Sequence, residues 1–319
     1  MNKNITCSIC CSNYEDIFFL HKKKYGRNNA EVYICRKCGV IFQLPKLEEN
    51  QVYDENYYYF NKYPASAVIS DLEKANFISE LIKKYSPQAK TVYDLGAGCG
   101  IVLNAISKKR FDVSGLEISK AGVNYAKKYF NITLENRSIE KICKVISSNV
   151  IIMTDALEHT SNPALTLKKI YNCILPDSLM IIEVPNIGGL YYKLIKKRWV
   201  GFNQYHNFHF TARSISQLAV NAGFKICGSV TTNFNILSSE GIWRLGIKDI
   251  LKDIFLFFQK NNYHTEFAEK NNSDCVENPN LKIDRISFKK KLLSAINFPS
   301  NKIAEFFNWG DQLWIILKK

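Results

Sequence analysis

Glycines at 96, 98 and 100 mark the first group of residues whose types and spacing suggest chemistry. They lie in the stretch at residues 91–100, T-V-Y-D-L-G-A-G-C-G, where a β-favouring run precedes them and apolar residues with helical spacing follow. This order predicts a strand, a tight turn and a helix. Glycine adopts backbone conformations closed to other residues and lets a ligand approach the main chain. We therefore expect a ligand on this turn, a nucleotide or nucleoside being the first candidate.

An acidic residue in register with the turn narrows the class of ligand. Glu117 ends the next predicted strand, residues 111–118, 17 positions after Gly100. Doubly wound sheets place an acid there for the ribose hydroxyls of a nucleoside, although a solvated carboxylate at a strand end is the alternative. A dinucleotide fold would show G-x-G-x-x-G, but here the third glycine comes one place early. The spacing favours a ribose-containing ligand and weakens the NAD interpretation.

Two pairs of cysteines near the N-terminus have the spacing of metal ligands. Cys7 and Cys10 form one C-x-x-C pair, and Cys35 and Cys38 form another, with 24 residues between the two pairs. Four thiolates so arranged can bind one tetrahedral zinc ion, with a redox dithiol or a disulfide pair as the alternative. Cys11 is left over. Because four protein ligands close the coordination shell, we expect this zinc to be structural and not catalytic.

A third group of polar residues follows a short apolar run at residues 149–154. Asp155, Glu158 and His159 come directly after this predicted strand. Open α/β sheets bind their ligands at the carboxyl ends of strands, so these side chains are candidates for a site. The alternative is that Glu158 and His159 only cap and brace the loop.

The elements that must position these groups alternate along the chain. Such alternation predicts an α/β fold, a doubly wound and mostly parallel seven-stranded sheet with flanking helices. Helices are expected at residues 67–85, from 101, and at 119–129, 164–174 and 212–222. The remaining strands are expected at residues 132–134, 178–184, 224–231 and 312–317.

The motifs D-L-G-A-G-C-G, G-L-E-I and D-A-L-E-H together resemble class I S-adenosylmethionine-dependent methyltransferases, in the branch of the ubiquinone and sugar methyltransferases. The resemblance covers residues 91–225 and implies a Rossmann-like methyltransferase fold. It places the methionine carboxylate of the donor at the positive end of the helix after the turn. The donor-binding residues that it implies are Asp94, Gly96, Ala97, Gly98, Gly100, Glu117, Ile118, Asp155 and Leu157.

The same resemblance points to a catalytic base. A histidine, then Phe-Thr, then a helix ending in Ala-Gly-Phe falls over the mouth of the active site in that fold, and His206 matches best, with His209 extra. Histidine suits removal of a proton from a hydroxyl or amine acceptor because of its pKa. We expect His206 to be the base, with His159 and Glu158 as alternates.

The substrate class rests on a second resemblance. A zinc-ribbon segment before a methyltransferase core is similar to the sugar C-methyltransferases of nucleotide-linked deoxysugars. This implies a small-molecule or glycan-precursor acceptor, nucleotide- or lipid-linked, in surface polysaccharide biosynthesis. One alternative is an RNA base methyltransferase, because a zinc ribbon followed by a methyltransferase core also occurs in enzymes that methylate bases of ribosomal RNA. The other is a non-catalytic scaffold. D-A-L-E-H is unlike base-methylating Asn/Asp-Pro-Pro-Tyr motifs, and the intact glycine turn argues against the scaffold.

Charge and composition bound the partners and the location. The chain has 319 residues, is 46% hydrophobic and has a formal net charge of +14. An anionic partner is therefore plausible: a phosphorylated substrate, an anionic membrane surface contacted peripherally or, less favoured, nucleic acid. No apolar run approaches the length of a membrane helix and the N-terminus lacks signal-peptide features, so we expect a cytoplasmic protein, in possible contact with the inner face of the membrane.

The sequence divides into three parts. Residues 1–50 are expected to form the zinc-binding module, residues 51–90 an aromatic linker and the first helix, and residues 91–319 the methyltransferase domain. Within the last part, residues 233–308 lie between the last two predicted strands, which a short hairpin would connect in a plain fold of this kind. Their apolar, basic pattern predicts a helical insertion.

Overall fold

The computed structural model describes residues 5–25, 28–46, 65–199, 201–232 and 310–319. The aromatic run at residues 51–63 and the predicted helical insertion at residues 233–308 lie outside these ranges. Within them, no helix has both the length and the apolar character needed to cross a bilayer.

A seven-stranded sheet forms the centre of the fold. Its strands are β4 (Thr91–Leu95), β5 (Asp112–Glu117), β6 (Glu135–Asn136), β7 (Val150–Thr154), β8 (Leu179–Pro185), β10 (Lys225–Thr232) and β11 (Gln312–Lys318). They lie in the order β10-β11-β8-β7-β4-β5-β6. The pairs among β4, β5, β6, β7 and β8 are parallel, whereas β11 is antiparallel to both of its neighbours. The predicted α/β doubly wound sheet, mostly parallel and with seven strands, is confirmed.

The helices connect these strands and cover the sheet. Their bounds are α1 (Ala65–Tyr85), α2 (Ile101–Ser107), α3 (Lys120–Phe130), α4 (Pro163–Cys173), α5 (Leu190–Ile195) and α6 (Ala212–Ala222). The capping residues fix where two of them begin: Asn162 accepts a hydrogen bond from the backbone N–H of Leu165, and Thr211 forms a capping box with Ser214. Gly223, at φ 107°, ends α6 as its C-cap.

One predicted strand lies in a different place. The sequence predicted the third strand at residues 132–134, but the pairing with β5 joins Leu116 to Glu135 and Glu117 to Asn136. Ile132 and Leu134 are buried instead in the core beside α2. The apolar residues of this run pack into the core and do not pair with β5, so the predicted position of the third strand was wrong by about three residues.

The N-terminal segment builds a second, smaller sheet. It contains β1 (Ile17–Tyr25), β2 (Asn28–Cys35) and β3 (Ile41–Leu44), all antiparallel. Its fourth strand, β9 (Phe208–His209), comes from the distant segment just before α6 and pairs with β3. The two parts also share one apolar core, in which Phe42 and Val40 join Phe208 and Ile215. The cysteine-containing segment is therefore packed directly against the segment that bears His206.

Candidate active site

The glycine turn after β4 has the left-handed backbone geometry that its glycines predict. Gly96, Gly98 and Gly100 have φ angles of 95°, 57° and 81°, all in the left-handed region. A Cβ at Gly96 would lie 3.1 Å from Cβ of Ala156 and 3.2 Å from Cδ1 of Ile139. A side chain at this point would be crowded by both neighbours and strained by the positive φ, and the main chain itself forms the wall of the site.

Glu117 is fixed against this turn. Its side chain is buried, and Oε2 accepts a hydrogen bond of 2.8 Å from the backbone N–H of Gly98. Oε1 accepts a second bond of 2.7 Å from the backbone N–H of Ser119, which is also the N-cap of α3. The strand end, the turn and the next helix thus hold one carboxylate in a fixed orientation.

A cavity lies directly beside this carboxylate. It is lined by Gly96, Glu117, Ile118, Ile139, Asp155, Ala156, His159 and Thr160. These residues come from the ends of β4, β5 and β7 and from the loop after β6. A backbone without side chains next to a fixed acid suits a nucleoside that carries an amino-acid tail, which is the shape of S-adenosylmethionine.

Comparison with protein families identifies this part of the chain. Residues 69–227 match the family model described as a methyltransferase domain. This segment is a methyltransferase domain. The match spans the strands from β4 to β8, the glycine turn and Glu117. The matched residues include the whole cavity and extend back into α1, 22 residues before the boundary at residue 91 expected from sequence.

Solved structures similar to this chain have low sequence identity to it. DesVI from Streptomyces venezuelae is 18% identical, with 36% of this chain and 50% of that chain covered and a TM-score of 0.33. A methyltransferase from Thermotoga maritima is 14% identical, with 79% and 89% covered and a TM-score of 0.46. One from Clostridium acetobutylicum is 10% identical, with 78% and 91% covered and a TM-score of 0.45.

These similarities are too low to carry an argument about the acceptor. The chain spans about half the length of DesVI and of a second similar structure, an amino pentose methyltransferase from Micromonospora echinaspora. A comparison with curated proteins gave no match.

The remaining donor-binding residues predicted from the motif differ in their surroundings. Asp94 is buried behind the turn, and burial, together with the nearby Glu117 and Asp71, raises its pKa to about 8. Ala97 is buried and its backbone N–H bonds the carbonyl of Leu116. The side chain of Leu157 lies entirely in the apolar core, and Ala156 beside it lines the cavity.

The three predicted catalytic residues lie together. His159 lines the cavity, and its ring centroid is 4.7 Å from that of His206. One ligand atom from each of Glu158, His159 and His206 lies within 4.8 Å of the others. His209 is buried, and its ring is 5.9 Å from that of His206, outside this group.

Both histidines of the group are held by backbone carbonyls. Nδ1 of His159 lies 2.9 Å from the carbonyl oxygen of Tyr205, and His206 hydrogen-bonds the backbone of Gly201. Burial lowers the pKa of His159 from its usual value, and burial with the neighbouring His159 lowers the pKa of His206 well below its own. Both rings are therefore neutral near pH 7, and each has one nitrogen with a lone pair.

A lysine that the sequence analysis did not single out organises the floor of the site. Lys74 in α1 is 2% exposed and donates hydrogen bonds to Asp155 and, at 3.0 Å, to Oε2 of Glu183. Burial alone would lower the pKa of Lys74, but the two carboxylates raise it well above its usual value. Burial raises the pKa of Glu183 to about 8.

The sequence did contain a signal for Lys74. It stands one turn before Ile78 and therefore on the apolar face of α1, where an unpaired cation would be costly. A lysine on a buried helical face requires a carboxylate partner. Which carboxylate that would be was not visible from the sequence.

The four predicted metal ligands also come together, in what we call the four-cysteine cluster. Sγ of Cys7 lies 3.6 Å from Sγ of Cys38, and Sγ of Cys10 lies 3.6 Å from Sγ of Cys35. A tetrahedral zinc ion with Zn–S bonds of about 2.3 Å separates its sulfur atoms by about 3.8 Å. The donor set and the spacing therefore fit zinc. Cys11 is exposed and outside the cluster, as expected for a residue that is not a ligand.

Proposed function

We propose that the methyltransferase transfers a methyl group to a hydroxyl or amine of a small-molecule or glycan precursor, a nucleotide- or lipid-linked sugar, in surface polysaccharide biosynthesis. The observation that carries the reaction is the meeting of two groups at one cavity: Glu117 and the glycine turn on one side, and the His159–His206 pair on the other. An acceptor bound between them would lie beside both the donor and a neutral imidazole.

The chain's own residues divide into donor-binding and proton-handling groups. S-adenosylmethionine supplies an electrophilic methyl group on a positively charged sulfur. Glu117 binds the ribose hydroxyls and the glycine turn receives the amino-acid tail, while Ile118 and Asp155 line the remainder of the donor pocket. Asp94, Ala97 and Leu157 are buried behind its wall and support it. This arrangement aligns the donor with its acceptor and excludes water.

His206 is the first candidate for the base. As the acceptor oxygen or nitrogen forms its bond to the methyl carbon and the carbon–sulfur bond breaks, His206 takes the acceptor's proton on its lone-pair nitrogen. The electron pair of the broken bond stays on sulfur, leaving S-adenosylhomocysteine. His159 and Glu158 are the alternates, since both lie within reach of the same point.

Positive charge where β1 meets the segment before β9 supports an acceptor that carries phosphate. Lys23 in β1 donates a 3.4 Å hydrogen bond to the carbonyl of Lys197, so two basic segments lie side by side. Lys23 Nζ also lies 5.5 Å from the ring centroid of Phe202. Cations over aromatic rings suit the phosphate and sugar of a nucleotide- or lipid-linked precursor.

Peripheral contact with an anionic membrane surface, at the inner face of a cytoplasmic membrane, is part of the proposal. In α5 the leucines at 190 and 194 are exposed, the second by 67%, and Lys193 lies between them. Exposed leucines beside lysines suit the interface of a bilayer that contains anionic lipids. A lipid-linked acceptor would be reached from such a position.

The four-cysteine cluster serves structure in this proposal. A structural zinc would join the segment before β1 to the turn between β2 and β3, and β3 pairs with β9, which begins two residues after His206. The metal would thereby hold the base-bearing segment in place without touching the acceptor.

The test uses S-adenosylmethionine with a tritiated methyl group and three acceptor pools: nucleotide sugars, lipid-linked glycan precursors and total RNA. We expect label in a sugar pool and binding of the donor by calorimetry. Label only in RNA, with retention on RNA that falls steeply as salt rises, would replace the glycan proposal by the RNA alternative. Neighbouring genes for sugar-nucleotide enzymes or glycosyltransferases would independently support the first result.

A further inference from the structure

Glu158 is a fully buried acid, and the described residues around it do not satisfy its carboxyl group. Its side chain is 0% exposed, and neither carboxyl oxygen reaches a hydrogen-bond partner in another of the described residues. Lys74 acts on it electrostatically, but the hydrogen bonds of this ammonium group go to Asp155 and Glu183. An unpaired buried carboxyl group is costly to a fold whether it is charged or neutral.

The two histidines beside Glu158 are oriented as metal-binding histidines are. Nδ1 of His159 is committed to the carbonyl of Tyr205, so the lone pair of this ring lies on Nε2. His206 hydrogen-bonds the backbone of Gly201, and its Nδ1 is buried without a partner among the described residues. Histidines that bind metals generally donate their other ring N–H to a carbonyl or carboxylate, which fixes the tautomer and the direction of the lone pair.

From these contacts we infer that Glu158, His159 and His206 form a second metal site, for a divalent transition-metal ion such as Zn²⁺, Mn²⁺, Fe²⁺ or Co²⁺. One ligand atom from each residue lies within 4.8 Å of the others, a spread that one ion spans with bonds of about 2.0–2.2 Å after small adjustments. Two imidazoles and one carboxylate are the donor set of such ions, whereas Mg²⁺ and Ca²⁺ prefer oxygen ligands.

This site differs from the four-cysteine cluster in one decisive respect. Four thiolates close a tetrahedral shell, but three protein ligands leave at least one position open. His159 belongs to both the metal site and the wall of the donor cavity, so an ion there would lie beside the acceptor position. The use of the ion rests on the proposed function: it would hold an acceptor oxygen by coordination and lower the pKa of the hydroxyl. The binding of the ion does not depend on it.

The two roles of His206 exclude one another at any one moment. A nitrogen lone pair that coordinates an ion cannot also accept a proton from the acceptor. With the metal bound, lowering of the hydroxyl's pKa takes over the role that His206 plays as a base, and loss of activity in a His206 variant cannot by itself separate the two. The metal content can.

The test is the metal content of the full-length protein after equilibration with Zn²⁺ and dialysis against metal-free buffer. We expect two equivalents in the wild type, one in His206→Ala and His159→Ala, and one in Cys38→Ser, which removes a ligand of the other site. His21→Ala, which loses a histidine of β1 outside both sites, is the control and should retain two. One equivalent in the wild type, or two in both histidine variants, would overturn the inference.

A second measurement avoids variants that fold poorly. Co²⁺ added to wild type that carries a single equivalent of zinc, in the four-cysteine cluster, should bind one further equivalent, with visible absorption that lacks thiolate-to-metal charge transfer because the second site contains no sulfur. Thiolate charge transfer, or no binding, would contradict the inference. If the second equivalent is absent while methyl transfer continues with EDTA, the proposed function stands with His206 as the base. If the ion binds and no sugar acceptor is methylated, the proposed function fails alone.

Discussion

The carboxylate of Glu117 accepts a 2.8 Å hydrogen bond from the backbone N–H of Gly98, across 19 residues of sequence. This single contact joins the end of β5 to the middle of the glycine turn. It orients the proposed ribose ligand before any donor arrives, because the acid cannot rotate without losing its bonds to the turn and to Ser119.

Replacing Glu117 should therefore weaken the binding of the methyl donor strongly. Hydrogen bonds to a charged group contribute about 1.5–3 kcal/mol each, so Glu117→Ala should raise the Kd for S-adenosylmethionine by about 10- to 100-fold. Isothermal titration calorimetry measures this directly. Glu135→Ala, at an exposed acid of the adjacent strand β6, is the matched control, and equal effects in the two variants would remove Glu117 from the donor site.

Replacing His206 should reduce turnover and leave the donor bound. His206→Ala should lower kcat by about a hundredfold, the usual scale for loss of a group that handles a proton, with the donor Kd unchanged because Glu117 and the turn are untouched. Tritium transfer to the acceptor and calorimetry measure the two quantities. Unchanged turnover would eliminate His206.

Replacing Lys74 should destabilise the fold more than loss of an ordinary lysine does. Lys74→Met leaves the fully buried Glu183 without its partner, and breaking such a pair costs about 3 kcal/mol or more. The double variant Lys74→Met, Glu183→Gln should recover part of the loss because no carboxylate is then stranded there. Urea unfolding measures both, and Lys83→Met at the exposed end of α1 is the control. A loss no larger than that of the control would show that the pair contributes nothing.

Asp94 should make stability fall as the pH rises. Burial, together with Glu117 and Asp71, raises its folded-state pKa to about 8 from 3.8, so its protonated form is favoured in the fold. Relative to the unfolded chain, this favourable contribution is complete below about pH 4 and is lost as the pH rises through about 8. Asp94→Asn cannot ionise and should lose less of its Tm between pH 6 and pH 9 than the wild type. Glu183, with a pKa raised to about 8 by burial, contributes a residual slope in both proteins.

Thermal denaturation at pH 6, 7, 8 and 9 checks this expectation. Asp112→Asn removes an exposed acid at the start of β5 and should run parallel to the wild type. If Asp94→Asn also runs parallel, the buried carboxyl does not titrate in this range.

Loss of the four-cysteine cluster should impair methyl transfer without weakening donor binding. Cys38→Ser should remove one equivalent of zinc and loosen β3, whose Ile41 pairs with His209 next to the base-bearing segment. The donor cavity is built by β4, β5 and β7, so the Kd for the donor should stay within about twofold. Metal analysis and tritium transfer test this, with Cys11→Ser as the control. Full activity in Cys38→Ser would show that the cluster does not support the active site.

Local chemistry explains what could be predicted. The glycine turn and the acid at the end of β5 are set by a few adjacent residues, whose backbone preferences and short-range hydrogen bonds are the same in most surroundings. The order of strands and helices followed from hydrophobic spacing. The misplaced third strand shows where this fails, because apolar residues at 132 and 134 pack into the core without pairing.

The sequence by itself determined the fold class, the glycine turn, the acid Glu117 at the end of the next strand and the two C-x-x-C pairs, since each is a pattern within a short window. Only the tertiary structure decided that Lys74 bonds carboxylates 81 and 109 residues away and that β9 completes the small N-terminal sheet. It also decided that Glu158 is buried beside two histidines, without a hydrogen-bond partner among the described residues. These contacts depend on which strand ends meet at one edge of the sheet. Residues that are close in the sequence do not determine which strand ends become adjacent, because this order results from the packing of the whole core.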